Sequence, residues 1–245
     1  MVSATFRFYA ELNDFLAPAR RGRAFACVCA RAATTKHMIE ALGPPHTEVA
    51  LVLVNGEASG LDRILREGDR VAVYPRFARL NPGPLRAALA PMAPRTASRF
   101  VADAHLGALA RMLRMAGFDT VYRNDIGDDE IAALAADGER AALTRDRDLL
   151  KRREVVAGAY VRALKPAAQF AEMVERFDLR ARFAPFTLCL HCNAPLRVVA
   201  KAEVSERLPP MVRAGQHEFS HCERCGRVFW KGSHWEHMRL SLGAA

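Results

Sequence analysis

Four cysteines in the C-terminal part of the 245-residue chain have the spacing of a metal site. They form two Cys-x-x-Cys pairs, 189–192 and 222–225, with 29 residues between the pairs. Each pair can place two thiolates on one ion, and two such pairs complete the tetrahedral coordination that zinc prefers. Gly226 follows the second pair and permits the backbone conformation that such turns often need. We therefore predict one structural zinc ion, with these ligands: Cys189, Cys192, Cys222 and Cys225.

Other assignments of these thiols are open at this point. Disulfides, free thiols or a redox pair would use the same cysteines, and iron accepts the same four thiolates. His191 lies inside the first pair and His221 directly precedes the second, so either could replace a cysteine. The N-terminal residues lack the pattern of a secretory signal, which predicts a cytoplasmic protein with reduced thiols. That environment favours a metal over disulfides.

Carboxylates follow two predicted strands in the middle of the chain. Asp103 comes directly after Phe100–Ala102, and Asp146 and Asp148 come after Ala141–Thr144. Strands and helices alternate here, which predicts a mostly parallel sheet whose strand ends meet at one edge. Oxygen ligands suit Mg²⁺ or Mn²⁺, and such an ion would activate water for phosphodiester hydrolysis.

Structural roles remain open for the same acids. Asp128 opens a predicted helix, where negative charge is favourable without any metal. Asp103, Asp146 and Asp148 could equally cap the helices that follow them. A basic run near the acids could contact nucleic-acid phosphates or form a solvated helix face. The run comprises Arg145, Arg147, Lys151, Arg152 and Arg153.

The chain divides into four segments by composition and pattern. Residues 79–98 contain four prolines among glycine and alanine, which predicts a linker between segments 1–78 and 99–180. Segment 181–245 contains the cysteine pairs. The net charge of +9 is spread over the segments, so it is compatible with a nucleic-acid partner without indicating one. No run of about 18 apolar residues occurs, so we expect no membrane partner.

Segment 1–78 predicts a small α+β unit with a tight turn at Asn55-Gly56. The resemblance to the ubiquitin-like β-grasp fold of sulfur carriers is carried by Val54-Asn55-Gly56 and Leu65-x-x-Gly68-Asp69-x-Val71-x-Val73-Tyr74-Pro75. Carriers of that family end in a free Gly-Gly, whereas this segment continues into Arg76-Phe77-Ala78. We therefore predict an interaction module with a protein partner, dispensable for chemistry.

The sequence from residue 99 onward resembles a known nuclease family. The resemblance is carried by Phe100-Val101-Ala102-Asp103-Ala104-His105-Leu106-Gly107-x-Leu109-Ala110-Arg111-x-Leu113-Arg114-x-x-Gly117-Phe118-Asp119-Thr120, Asp128-x-Glu130-Ile131, Leu143-Thr144-Arg145-Asp146-Arg147-Asp148-Leu149-Leu150, the cysteine pairs and Trp230-x-Gly232-Ser233-His234-Trp235-x-x-Met238. These segments are similar to the mutator-seven C-terminal ribonuclease family, a branch of the PIN-like nucleases, over nearly all of residues 99–240. A β-grasp module ahead of this domain also occurs in that family.

The resemblance implies a Mg²⁺- or Mn²⁺-dependent ribonuclease that hydrolyses RNA phosphodiester bonds. The implied fold is α/β: a PIN-like parallel-sheet domain after an α+β β-grasp domain and before a zinc ribbon that assists RNA binding. The carboxylate roles fall to Asp103, Asp128, Asp146 and Asp148, with Glu130 as the alternative to Asp128. PIN-like nucleases commonly supply a further acid after the fourth strand, and residues 161–165 contain none.

Two other functions remain open. The first is a non-catalytic RNA-binding or adaptor protein with a degenerate nuclease site, for which the missing late acid argues. The second is a phosphotransfer enzyme using Asp146-x-Asp148, as in haloacid-type phosphatases. Those enzymes place four apolar residues before the first aspartate and a threonine after the second, and neither feature occurs here.

Aromatic and histidine residues near the second cysteine pair admit two interpretations. They could stack on single-stranded bases, or the tryptophans could pack the small core of the ribbon. The residues concerned are Trp230, His234, Trp235 and His237.

Overall fold

The structure is a computed structural model and describes residues 1–75 and 97–232. Nearly all of the predicted linker 79–98 lies outside the described residues, as do His234, Trp235 and His237. Within the described ranges the strands form three separate sheets of five, four and three strands. No helix in these ranges has the length and apolar character that crossing a membrane requires.

The first sheet has the mixed pairing of a β-grasp unit. Its order is β2-β1-β5-β3-β4; β1 and β5 are parallel, and the other pairs are antiparallel. One helix, α1, packs its buried side chains into the core formed by this sheet. The elements are β1 (Val2–Phe8), β2 (Phe25–Cys29), α1 (Thr35–Leu42), β3 (Val49–Val54), β4 (Glu57–Ala58) and β5 (Arg70–Pro75).

Helix α1 begins and ends at residues whose chemistry suits helix termini. The Thr34 side chain accepts a hydrogen bond from the backbone N–H of His37, which satisfies an otherwise unpaired helical donor. Gly43 ends the helix at φ 132°, and a Cβ there would lie 2.3 Å from the carbonyl oxygen of Phe15. Only glycine fits this position.

The second sheet is entirely parallel, in the order β7-β6-β8-β9, and helices cover both faces. Such a sheet places the carboxyl ends of all four strands at one edge. The elements are β6 (Arg99–Ala102), α2 (Gly107–Met115), β7 (Asp119–Val121), α3 (Asp128–Leu134), β8 (Arg140–Thr144), α4 (Arg147–Lys151), β9 (Gly158–Tyr160) and α5 (Pro166–Arg176).

The fourth strand of this sheet is shorter than its apolar residues suggest. The valines at 155–156 and the pair Tyr160-Val161 predict a strand across both, whereas β9 contains three residues. Val155 is fully buried against the face that α3 and α4 cover, so packing outside the sheet explains its apolar side chain.

The third sheet is antiparallel and belongs to the cysteine region. Its order is β10-β11-β12, over a small core of Val199, Val204, Leu208 and Phe219. Trp230 is half-buried against this core, which matches the packing interpretation of that residue. The elements are β10 (Arg197–Val199), α6 (Lys201–Val204), α7 (Pro210–Gly215), β11 (Phe219–His221) and β12 (Val228–Trp230).

Candidate metal centre and candidate active site

The four predicted zinc ligands come together in space. Their sulfur atoms all lie within 4.8 Å of one another. The Sγ atoms are 3.6 Å apart for Cys189 and Cys225, and 3.4 Å apart for Cys192 and Cys222. Tetrahedral coordination at a zinc–sulfur distance of about 2.3 Å separates sulfurs by about 3.8 Å, close to what these pairs show. The cluster therefore fits a single ion. His191 and His221 are not members of it.

Both cysteine turns have the same backbone construction. The residue after each pair, Asn193 or Gly226, has a positive φ of 66° or 71°. Its N–H donates to the carbonyl of the first cysteine, at 2.9 Å in the first turn and 2.8 Å in the second. This conformation turns both thiols of a pair inward, and glycine and asparagine adopt it at low cost.

The thiols differ in how readily they lose a proton. Burial raises the pKa of Cys189 to about 12. Burial also acts upward on Cys222, but hydrogen bonds from the backbone N–H of Cys225 and from the Cys192 side chain outweigh it and lower the pKa to about 7. Cys222 is therefore the thiol that ionises most readily near neutral pH. A bound cation would favour ionisation of the other three.

The first cysteine turn is attached to the parallel sheet through Arg114 of α2. This arginine is only 3 % exposed and donates from Nη1 to the carbonyl oxygens of Leu190 and His191, at 3.2 and 2.9 Å. Its Nε donates to the carbonyl of Thr120 at 2.9 Å. Arg114 thus joins the metal centre to strand β7.

Asn193 makes a second attachment at the same place. Its Oδ1 accepts from the N–H of Thr120 at 3.0 Å, and its Nδ2 donates to Asp119 at 2.6 Å. Asp119 also accepts from Arg140 and Arg99. Arg114 lies in the segment that resembles the nuclease family, and Asn193 directly follows a Cys-x-x-Cys pair. Sequence reasoning assigned a role to neither residue and so missed both.

Replacing Arg114 with methionine should lower the free energy of unfolding by about 3 kcal/mol, because the buried carbonyl of Thr120 and two part-buried carbonyls of the first cysteine turn lose a charged donor. Arg111→Met is the matched control, since Arg111 lies on the same helix with an exposed side chain. That variant should change stability by less than about 0.5 kcal/mol. Urea unfolding of both proteins measures the difference; equal effects would contradict the role of Arg114.

Asp103 and Asp146 are joined through the hydroxyl of Thr144 at the carboxyl edge of the parallel sheet. The Thr144 hydroxyl donates to Asp103 Oδ2 at 2.6 Å and accepts from the backbone N–H of Asp146 at 2.9 Å. Thr144 is fully buried, and Asp103 is half-buried. Thr144 is a further site residue for which the sequence gives one signal, its position at the end of an apolar strand directly before two acids.

The other predicted acids have different surroundings. Asp148 is the second residue of α4, with a side chain 88 % exposed and paired with Lys151 at 3.3 Å. Glu130 forms a bidentate ion pair with Arg123, whose Nη1 and Nη2 donate to its two oxygens at 2.8 and 2.6 Å. Asp128 is exposed at the first turn of α3 and makes no hydrogen bond or ion pair within the described residues. It is therefore freer than Glu130 to bind a metal.

The acids do not form a closed cluster like that of the cysteines. In residues 1–75 and 97–232, the cysteine cluster is the only group of three or more ligating side chains whose donor atoms all lie within 4.8 Å. Asp146 Oδ1 caps α4 by accepting from the N–H of Asp148, and Asp103 uses one oxygen for Thr144. One oxygen of each carboxylate remains without a partner among the described residues. This fits a hard divalent ion that keeps several waters and is held by one or two carboxylates.

A family model matches the part of the chain that contains both centres. The Mut7-C RNAse domain matches residues 98–242, and Mut7-C ubiquitin matches residues 1–81. The chain belongs to the Mut7-C RNAse domain family. The predicted resemblance and the α/β fold class with an N-terminal β-grasp domain are thereby confirmed. We call the two parts the Mut7-C RNAse domain and the ubiquitin-like domain.

Solved structures match about a third of the chain. Two of them are crystal structures of small archaeal modifier protein 1 (SAMP1) of Haloferax volcanii, each 22 % identical with a TM-score of 0.26. The first covers 31 % of this chain and 100 % of its own, and the second covers 32 % and 99 %. No curated protein matches the chain.

Proposed function

We propose that the protein is a Mg²⁺- or Mn²⁺-dependent ribonuclease of the PIN-like class. The observation that carries the proposal is the joining of Asp103 and Asp146 by the buried Thr144 hydroxyl, at the carboxyl edge of a parallel sheet in an RNase-family domain. Crevices at this edge are where open parallel sheets bind ligands.

The residues at this edge have distinct proposed roles. In this proposal Asp103 and Asp146 hold the divalent ion, and Asp128 and Asp148 are its further carboxylate ligands. When bound, the ion supplies an activated water and stabilises the charge that develops on the phosphate. Thr144 fixes the orientation of the Asp103 carboxylate. Exposed arginines of the same edge contact the RNA backbone: Arg145 and Arg147.

The flanking parts have supporting roles in this proposal. The cysteine cluster binds one structural zinc, and the ribbon contributes basic residues that contact RNA. Such a tetrathiolate site needs reduced thiols, which fits a cytoplasmic protein. The ubiquitin-like domain offers its remaining surface to a protein partner.

The proposal predicts metal-dependent cleavage of RNA. EDTA-treated protein should be inactive on a single-stranded or hairpin RNA, and Mn²⁺ or Mg²⁺ should restore activity. Thr144→Val should lower kcat about tenfold or more, because the Asp103 carboxylate loses its orienting donor. Thr144→Ser keeps the hydroxyl and should stay within a few-fold of wild type. Gel assays of labelled RNA measure both.

Binding without cleavage is the outcome that would reject the ribonuclease. If the protein binds RNA but cleaves none with any divalent ion, the adaptor function gains support. Arg145 and Arg147 near the sheet edge would then explain the binding, and the lack of an acid in residues 161–165 would explain the absence of cleavage.

A further inference from the structure

Glu48 is a buried carboxylate whose partners all belong to the other domain. It lies just before β3 of the ubiquitin-like domain, and its side chain is 1 % exposed. Arg176 donates to its two oxygens at 2.7 and 3.0 Å, and Arg162 donates at 2.9 Å. The backbone N–H of Tyr160 donates at 2.8 Å. Four donors thus satisfy this acid, and all come from the Mut7-C RNAse domain.

Further contacts surround this ion pair. The Phe15 ring meets the Tyr160 ring edge-on at 5.2 Å, and the guanidinium of Arg162 lies 5.1 and 5.7 Å from their centroids. His46 Nε2 lies 3.0 Å from the carbonyl oxygen of Val155. Charged, aromatic and backbone groups of both domains therefore contact one another around Glu48.

Glu48 remains ionised in this interface. Burial alone would raise its pKa, but the guanidinium groups of Arg176 and Arg162 outweigh the burial and lower the pKa below the usual 4.5. A charge this deeply buried is stable only with its partners in place.

The segment that Glu48 contacts runs beside the proposed active site. The N–H of Val161 donates to the carbonyl of Thr144 at 2.8 Å, and Arg145 donates to the carbonyl of Ala163 at 3.2 Å. Glu172 accepts from the N–H groups of Arg162 and Ala163 at 2.9 to 3.1 Å. Residues 160–163 are therefore held on one side by Glu48 and on the other by the strand end that presents Asp146.

We propose that the ubiquitin-like domain is a fixed part of the nuclease and that Glu48 is a positioning residue for its reaction. Glu48 holds residues 160–163, which in turn set Thr144 and Arg145 at the edge where RNA is cleaved. This inference rests on the proposed ribonuclease function for its kinetic part only. It assigns to the ubiquitin-like domain a role in the reaction of its own chain, in addition to any binding of a separate protein partner.

The test compares two buried carboxylates of the ubiquitin-like domain in the full-length protein. Glu48→Gln breaks the contact between domains. Asp69→Asn is the matched control, since Asp69 is 4 % exposed and its carboxylate accepts only from Asn55, Arg63 and Arg66 of its own domain. Arg162→Gln removes a half-exposed partner, so it probes the same contact if Glu48→Gln does not fold.

Hydrogen exchange at the backbone of residues 160–163 gives a readout that does not depend on activity. Glu48→Gln and Arg162→Gln should raise exchange there about tenfold or more, and Asp69→Asn should not. In the RNase assay the first two should lower kcat about tenfold with KM within a few-fold. Asp69→Asn should keep kcat.

Two results would overturn the proposal. One is wild-type exchange at residues 160–163 in Glu48→Gln and Arg162→Gln. The other is an equal loss of kcat in Asp69→Asn, which would indicate general unfolding of the domain. If the wild-type protein cleaves no RNA, the ribonuclease function fails by itself, and the exchange measurement still decides whether Glu48 holds the segment.

Discussion

Replacing Cys222 with serine should reduce bound zinc from about one ion per chain to almost none. Structural zinc sites contribute about 10–16 kcal/mol in zinc-finger peptides, whereas burying the four core side chains supplies about 6–12 kcal/mol, which the entropy cost of folding offsets. The zinc ribbon of segment 181–245 should therefore unfold and become sensitive to protease. Metal analysis after gel filtration under reducing conditions measures the first effect, and limited proteolysis measures the second.

Cys27→Ser is the matched control for this prediction. Cys27 is a half-buried thiol of β2 and is not a member of the cysteine cluster, so its loss should leave the zinc content unchanged. The parallel sheet should lose some stability in Cys222→Ser, because Arg114 donates to the backbone of the first cysteine turn. Wild-type protein without zinc or iron would contradict the metal centre.

The elements of both larger sheets follow from sequence because their signals are local. Phe6 and Phe8 alternate with polar residues, and both prove buried in β1. Thr34 and Gly43 delimit α1 as capping chemistry requires. The four cysteines are predictable for a similar reason, since each Cys-x-x-Cys turn closes on itself and needs only one partner turn.

The contacts between the domains do not follow from sequence, because they connect residues far apart in the chain. Glu48 precedes an apolar strand, and nothing near it indicates that residues 160, 162 and 176 supply its partners. The sequence predicts that the ubiquitin-like domain is dispensable for chemistry. The proposed positioning role of Glu48 predicts the opposite, because a fragment without this domain would leave Arg162 and Arg176 without their buried carboxylate partner.

The candidate active site could be predicted from the sequence only in part. Strand order and the parallel direction place Asp103 and Asp146 at one edge, as the alternation of strands and helices predicts. Their link through Thr144 depends on side-chain geometry that no spacing rule gives. The distinction between Asp128 and Glu130 likewise needed the structure, because only the pairing with Arg123 separates them.

Asp103→Asn should lower the rate of RNA cleavage by about 100-fold or more while leaving the fold intact. A lost carboxylate ligand removes several kcal/mol of transition-state stabilisation, and each 1.36 kcal/mol corresponds to about tenfold in rate. Asparagine keeps an oxygen that can accept from Thr144, so the free energy of unfolding should change by less than about 1 kcal/mol. Single-turnover cleavage with saturating Mn²⁺ and thermal unfolding measure the two effects.

Asp129→Asn separates loss of a ligand from loss of negative charge near the site. Asp129 directly follows Asp128, its side chain is 95 % exposed, and it pairs with Arg152 at 2.5 Å. Its removal changes the net charge by the same amount as Asp103→Asn but leaves the Thr144 link intact, so cleavage should stay within about threefold of wild type. An equal loss of cleavage rate in both variants would mean that the acids act through their combined negative charge and not as individual metal ligands. Cleavage by Asp103→Asn at the wild-type rate would place the metal elsewhere, because a ligand in direct contact cannot be neutralised without effect.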